Sequence, residues 1–360
     1  MDFSARQHRV ALELRRAGVN ALLITHLPNI RYLCGFTGTA GVLVVAQEAS
    51  RSVFYTDGRY AQQAAEEVKG ARVMITRKAA LAEAGEKLAR TSMRSMGFES
   101  EHLSFAAAKR LADLLRGKAR LKPLAGLVER QRLQKDPDEI HRIRASAAVA
   151  IGLLPFGLAA VRPGHPEALV AGAMELQARR AGAEGMSFDT IVAAGLRSAL
   201  PHGRASGQPI PSNGFIIIDW GVILAGYCSD LTRTVHIGPV SAAHRRMYQA
   251  VKDAQEASVE AVRPGIKTGK VDQVARKILE KAGCGRYFTH STGHGVGLEV
   301  HEGPKLAKNA KENLAPGMVI TVEPGIYMPD EGGVRIEDMV LVTETGHEIL
   351  TPAPRDLVTF

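Results

Sequence analysis

Cysteine is scarce in this 360-residue chain: Cys34, Cys228 and Cys284 are the only three, and they lie far apart. They fit neither a disulfide framework nor a C-x-x-C metal site, which suits a reducing compartment; Cys228 reads as a small buried residue. No apolar run reaches the length of a membrane span, about 18 residues. The opening MDFSARQHRVALELRRAG lacks the apolar region and cleavage site of a signal peptide and reads as an amphipathic helix. A cytoplasmic protein without membrane association is therefore expected. Basic runs interleaved with aromatics are also missing. The formal net charge of +9 is dispersed over stretches such as HRVALELRRAG and EIHRIRA, so no nucleic-acid partner is expected. A basic field would instead favour substrates with free carboxylates.

What is present is enough ordinary globular sequence for two domains. Residues 1 to about 125 alternate helical and extended patterns. Helices are predicted near 5–17, 59–69, 79–90 and 104–117, and strands at NALLIT, AGVLVVA, SVFYT, ARVMIT and SMGFE, which together describe an α/β domain. In LVERQRLQKDPDEIHRIRASAAVA a connection leads into a helix, with Asp136 as N-cap and Pro137 at the first helical position. The boundary falls within about 125–137, giving domains of 1–130 and 131–360. The second contains an internal repeat: RPGHPEALVAGAMELQARRAG from Arg162 and RPGIKTGKVDQVARKILEKAG from Arg263, 101 residues apart. Each predicts a turn and an amphipathic helix ending at Gly182 or Gly283. Each helix precedes an acid-bearing hairpin, so two similar α/β halves related by a pseudo-twofold axis are expected.

Those hairpins carry the chemistry. In FIIIDWGVILAGYCSDLTRT a buried run, a Gly-rich turn and a second extended run predict a hairpin that brings Asp219 and Asp230 together. A second, from MVITVEPGIY into GGVRIEDMVLV, brings Glu323 and Glu337 to comparable points, while His294 lies in HSTGHGVGLEVHE. Four anions and an imidazole grouped at the ends of core strands demand a compensating charge, and two divalent ions held by bridging carboxylates supply it economically. Carboxylate-rich ligation suits Mn²⁺, Co²⁺ or Zn²⁺. His290 and His294 are four apart, but the intervening STG and following GVG argue against one helix face.

The motifs PHGRAS (201–206), DWG with CSDLTRT (219–234), HSTGHGVGLEVHE (290–302), EPGIY (323–327) and GGVRIED (332–338) resemble those of the Xaa-Pro peptidases, aminopeptidase P and prolidase, in the pita-bread metallopeptidase superfamily (M24). ITHLPNIRYLCGFTGTAG and FYTDGRYAQQA extend the resemblance over nearly the whole chain. It implies a creatinase-like, ribonuclease H-like α/β N-terminal domain followed by a pseudo-twofold pita-bread catalytic domain. The implied ligand set is Asp219, Asp230, His294, Glu323 and Glu337. Asp219 and Glu337 would bridge, Asp230 would complete one metal, and His294 with Glu323 would complete the other. Mn²⁺ is the metal the resemblance favours, a homodimer the assembly, and a proline-containing peptide the substrate.

Glu323 is also the candidate for proton transfer. By resemblance, His202 and His301 face the substrate, where an imidazole can donate to a carbonyl oxygen in the transition state, and His290 lines the proline-side pocket. Arg335 is the candidate for orienting metal-bound carboxylates, and Thr232, two residues after Asp230, for a hydrogen bond to the metal-water cluster. A methionine aminopeptidase on the same fold, a creatinase relative and a non-catalytic peptide-binding module are the alternatives. The retained ligand set and full N-terminal domain favour the Xaa-Pro branch, leaving dipeptidase against aminopeptidase P undecided.

Overall fold

The computed structural model describes residues Met1–Phe360, which divide into the units Met1–Arg132 and Leu133–Phe360. In the first, strands β1 (Ala21–Ile24), β2 (Val42–Ala46), β3 (Val53–Asp57), β4 (Arg72–Thr76), β5 (Ser95–Glu99) and β6 (Arg120–Leu124) form a mixed sheet ordered β4-β3-β2-β1-β5-β6. Helices α1 (Phe3–Ala17), α2 (Leu27–Cys34), α3 (Ala61–Glu67), α4 (Ala80–Leu88), α5 (Phe105–Leu115) and α6 (Leu127–Arg132) accompany it. One face packs Leu23, Val44, Tyr55 and Met96 against Leu88, Leu111 and Leu115.

Three elements of this unit escaped the sequence reading. Helix α2 begins with a Leu-Pro pair that resembles a turn, yet it buries Ile30, Tyr32, Leu33 and Cys34, so tertiary burial outweighs weak local signals. Strand β6, RLKPL, is a polar edge strand containing Pro123, which suppresses its strand pattern. Helix α6 occupies part of the expected connection.

In the second unit, α7 (Pro137–Ala160) starts where the sequence indicated. Asp136 caps it, and a reciprocal contact with Glu139 completes a capping box. By length and composition α7 is the one helix that could cross a membrane. Here Ile143, Ala147, Ala150 and Leu153 are buried, and Trp220 Nε1 donates to the Ala150 carbonyl at 2.8 Å. Helix α8 (Glu167–Arg180) follows, then β7 (Gly185–Met186), β8 (Ile191–Ala194), β9 (Gly214–Trp220), β10 (Val222–Leu224), β11 (Tyr227–Cys228) and β12 (Leu231–Ile237). Strands β8, β9 and β12 form an antiparallel sheet, and β7, β10 and β11 a smaller one.

The second half repeats the plan. Helices α9 (Ala242–Glu260) and α10 (Thr268–Lys281) precede β13 (Gly293–Gly295), β14 (Glu302–Leu306), β15 (Val319–Val322), β16 (Gly325–Met328), β17 (Gly332–Arg335), β18 (Asp338–Val342) and β19 (His347–Ile349). Five of these strands form a sheet ordered β14-β13-β15-β18-β19, and β16 pairs with β17. Helices α8 and α10 keep the 101-residue offset at both ends. Gly182 and Gly283 follow them with φ of 86° and 76°. Each half has its own core, one around Met174, Ile218 and Trp220, the other around Val271, Ile320 and Val340. These are the two halves of a pita-bread domain.

Neither acid-bearing hairpin is as simple as the sequence suggested. Strands β9 and β12 do pair, with Asp219 opposite Thr232, but the intervening residues leave that sheet as a β10–β11 hairpin. Its tight turn has positive φ at Ala225 (48°) and Gly226 (80°), as a two-residue type I′ loop requires. The second hairpin is two ladders: β15 pairs with β18 through Val322 and Asp338, and β16 with β17 through Gly325 and Arg335. Glu323 and Glu337 occupy the break between them.

Candidate metal centre

Each of the five expected ligands sits where strand regularity ends or tightens. Asp219 is the penultimate residue of β9, Asp230 directly precedes β12, Glu323 directly follows β15, and Glu337 directly precedes β18. Side chains released from a ladder at these points can turn out of the pleat toward a common point. His294 is the middle residue of β13, between two glycines the backbone cannot do without. A Cβ at Gly293 would lie 2.0 Å from the Thr321 carbonyl oxygen, and one at Gly295 would lie 1.8 Å from that of Gly303. The Gly-His-Gly run therefore lets neighbouring strands close in until the imidazole reaches the acids.

The five side chains line one cavity of about 800 Å³, together with His202, His290, His301 and Arg335. Metal-binding atoms of Asp230, His294 and Glu337 lie within 4.8 Å of one another. His294 Nε2 stands 3.6 Å from Asp230 Oδ2 and 3.6 Å from Glu323 Oε1, beyond direct hydrogen bonding. Its Nδ1 lies 3.0 Å from the Gly295 carbonyl. A carbonyl can only accept, so Nδ1 carries the proton and Nε2 turns its lone pair to the carboxylates.

Two arms brace the cluster. Arg335, 3% exposed, donates from Nη2 to Asp219 Oδ2 at 2.6 Å, and from Nη1 to the Pro201 carbonyl at 3.0 Å and Tyr327 OH at 2.7 Å. Thr232 Oγ1 donates to Glu337 Oε2 at 2.6 Å and accepts from Arg335 Nε at 3.3 Å. Thr232 therefore stands behind Glu337. After these contacts, Asp219 Oδ1 and Glu337 Oε1 remain buried with no hydrogen-bond partner.

The electrostatics state the same deficit. Burial first, then the charges of Glu337, Asp219 and Glu323, push the Asp230 carboxyl well above its ordinary value. Glu337 is pushed up by burial and by Glu323 and Asp219, and burial raises Glu323 to about 8. Burial lowers His294 to about 4, so its imidazole is neutral and available as a ligand. A group of buried acids that cannot all ionise alone, two with orphaned oxygens, beside a neutral imidazole, fits divalent cations.

Around the cluster, the His301 ring lies with its centroid 4.3 Å from that of His294, and His202 is an exposed residue lining the cavity. His290 Nδ1 lies 2.8 Å from the Ser291 carbonyl, and its Nε2 is 2.9 Å from Tyr327 OH; burial lowers its pKa to about 4. Tyr327 was missed by sequence reasoning, although it lies in the EPGIY run. Of the apolar wall residues, Phe188 and Ile191 carried no local signal, and Pro201 lies in PHGRAS but was given no role of its own.

Residues 141–344 match metallopeptidase family M24, and residues 6–134 match the creatinase/prolidase N-terminal domain. This chain belongs to metallopeptidase family M24. The uncharacterized peptidase YqhT of Bacillus subtilis is 40% identical over 341 residues, 95% of this chain and 96% of that protein. A solved Xaa-Pro dipeptidase from Bacillus anthracis superposes with a TM-score of 0.96 at 37% identity, over 100% of both chains. An X-Pro aminopeptidase from Thermotoga maritima superposes with a TM-score of 0.89 at 32% identity, over 98% of this chain and 99% of that one.

Proposed function

We propose that this protein is a dinuclear-metal peptidase that hydrolyses the bond between an N-terminal residue and proline. The observation that carries the dinuclear reading is the pair of orphaned oxygens, Asp219 Oδ1 and Glu337 Oε1. Each belongs to a carboxylate whose other oxygen is already held, by Arg335 or Thr232. Asp219 and Glu337 would bridge, Asp230 would complete one site, and His294 with Glu323 the other. The carboxylate-rich set is compatible with Mn²⁺, Co²⁺ and Zn²⁺, and the resemblance to the Xaa-Pro peptidases favours Mn²⁺. When bound, two such ions supply a water of lowered pKa and electrostatic stabilisation of the attacked carbonyl.

The chain's own groups supply the rest. Glu323 faces the cavity, and a carboxylate held beside the nucleophilic water would be within reach to take its proton and pass it to the leaving nitrogen. His202 and His301, both lining the cavity, would donate to carbonyl oxygens of the substrate as charge develops. His290 is fixed by Ser291 and Tyr327 and would border the proline ring, with Phe188, Ile191 and Pro201 forming apolar wall. Proline offers a rigid ring and no N–H, so apolar shape must replace a backbone donor in recognising it. A cytoplasmic homodimer is part of the same reading.

The relatives include both an Xaa-Pro dipeptidase and an X-Pro aminopeptidase, so substrate length is the open variable. A Mn²⁺-loaded sample should be assayed on an Xaa-Pro dipeptide, an Xaa-Pro-Xaa tripeptide and a peptide without proline. Cleavage of either proline substrate at the Xaa-Pro bond is expected, and their ratio assigns the branch. Preference for the proline-free peptide would overturn the specificity.

A further inference from the structure

Two carboxylates outside the metal cluster are almost wholly buried on the pseudo-equivalent helices α8 and α10. Both reach into the segments that carry the cavity's histidines. Glu167, the first residue of α8, has no solvent exposure. Its Oε1 accepts from the Ala194 backbone N–H at 2.9 Å, and its Oε2 from the Ser206 backbone N–H at 3.2 Å and the Ser206 hydroxyl at 2.6 Å. Arg197 Nε lies 3.0 Å from Oε1. One carboxylate thus grips segment 194–206 at its start, within it and at its end, and His202 lies inside that span. Arg335 holds the Pro201 carbonyl, so His202 is suspended between Glu167 and the residue that braces Asp219.

Asp272, on α10 and 1% exposed, does the matching work in the second half. Its Oδ1 accepts from the Thr292 backbone N–H at 3.2 Å and the Thr292 hydroxyl at 2.9 Å, and its Oδ2 from Arg276 Nε at 2.7 Å. Arg276 in turn donates to the His290 carbonyl at 2.7 Å and the Phe288 carbonyl at 3.3 Å, with its guanidinium 4.4 Å from the Phe288 ring centroid. The Thr292 carbonyl accepts from the Glu323 backbone N–H at 2.8 Å. Asp272 is therefore tied by short paths to His290, His294 and Glu323.

We propose that Glu167 and Asp272 are positioning residues, Glu167 fixing His202 over the metal centre and Asp272 fixing the His290–His294 segment together with Glu323. A carboxylate is required at each point because both of its oxygens accept. A Gln or Asn would turn an NH₂ group toward one set of donors and push that end of the segment away. The two anchors differ in what they hold: the Glu167 segment carries a substrate-facing residue and no metal ligand, whereas the Asp272 segment carries a ligand and abuts another. The inference rests on the reading of His202 as a substrate donor and of His294 and Glu323 as ligands.

The test compares wild type, Glu167→Gln, Glu167→Asp, His202→Ala, the Glu167→Gln/His202→Ala double variant and Asp272→Asn. Each is loaded with Mn²⁺, dialysed, and assayed on the Xaa-Pro substrate that wild type turns over best. Glu167→Gln should keep full Mn²⁺ content and KM but lose about 10²-fold in kcat, the scale of a misplaced reacting group, with Glu167→Asp recovering part of it. The double variant should be no slower than His202→Ala. Asp272→Asn should lose bound Mn²⁺ as well as turnover, and metal content reads that without any assay. Multiplying losses in the double variant, or full Mn²⁺ in Asp272→Asn, would overturn the corresponding anchor alone. Wild-type turnover in His202→Ala would instead remove the underlying reading of His202, and the Glu167 assignment with it. If Glu167→Gln does not fold, Ser206→Ala removes one donor and leaves the carboxylate. It should slow turnover in the wild-type background and have no effect beside His202→Ala, and any other pattern counts against Glu167.

Discussion

Glu99 in the Met1–Arg132 unit and Glu337 in the Leu133–Phe360 unit are both buried, at 5% and 1% exposure, and their surroundings are opposite. Glu99 ends β5, and its Oε2 accepts from the backbone N–H groups of Thr25 and His26 at 2.8 and 2.9 Å, its Oε1 from Asn29 Nδ2 at 2.7 Å. Donors meet both oxygens, and the carboxylate holds the two residues that lead into α2. Glu337 receives one hydroxyl from Thr232, keeps one oxygen without a partner, and has Glu323 and Asp219 as charged neighbours. Burial alone does not mark a functional acid. The distinction lies in whether the protein supplies enough donors, since a buried acid that lacks them and faces other acids is incomplete without a cation.

Removal of the incomplete acids should have the largest effect. Asp219→Asn and Glu337→Gln should each lose bound metal, and turnover should fall by at least about 10³-fold, because metal-derived transition-state stabilisation is worth several kcal/mol and each decade costs 1.36. Metal analysis after dialysis checks the first expectation and initial rates the second. Wild-type Mn²⁺ content in either variant would end the bridging assignment.

A smaller effect is expected one contact further out. Arg335→Met removes the donor to Asp219 Oδ2 and frees the Pro201 carbonyl and Tyr327 hydroxyl, so metal affinity should weaken about 10- to 100-fold, the usual scale for partners of ligands. Competition against a chelator of known affinity measures this. An affinity within twofold of wild type would mean that Asp219 holds its orientation without Arg335.

How far the sequence revealed all this follows from range. Acids closing apolar strands, the 101-residue repeat and the Asp136–Pro137 helix start are local patterns, and the chain carries them where the structure has their elements. The strand breaks at Glu323 and Glu337, the β10–β11 excursion and the reach of Arg335 across to Asp219 depend on contacts between residues up to 116 positions apart. Glu167 and Asp272 lie in the repeated helix segments, but nothing local marks them as anchors, since an anchoring role is defined by the segment anchored. Helix α2 shows the same limit within the first unit: the residues that lead into it are held by Glu99, more than 70 positions away.

Protons offer a finer probe of the incomplete acids. Burial raises the Glu323 carboxyl to about 8, and Asp230 and Glu337 are also raised, so at pH 7 the metal-free cluster holds protons that ligation must displace. Calorimetric Mn²⁺ titrations in buffers of different ionisation enthalpy should report release of about one proton or more per chain at pH 7, declining as the pH is raised past 8. Identical heats in all buffers would show that the cluster is already ionised before metal arrives.

The smallest effect belongs to the completed acid. Glu99→Gln keeps one acceptor for Thr25 and His26 but faces Asn29 Nδ2 with another donor, and a misdirected buried group of this kind costs about 1–3 kcal/mol. Burial holds the Glu99 carboxyl above its ordinary value, so its contribution to stability is full below the unfolded-state pKa and declines as pH rises through the folded-state value. The gap in stability between wild type and variant should therefore be widest in acid and narrow toward neutral pH, while Mn²⁺ content stays the same. Chemical denaturation followed at several pH values, with metal analysis on the same preparations, measures both. Loss of Mn²⁺ from Glu99→Gln would mean that its donor-satisfied carboxylate also supports the metal centre, and the contrast between the two kinds of buried acid would no longer separate structure from function.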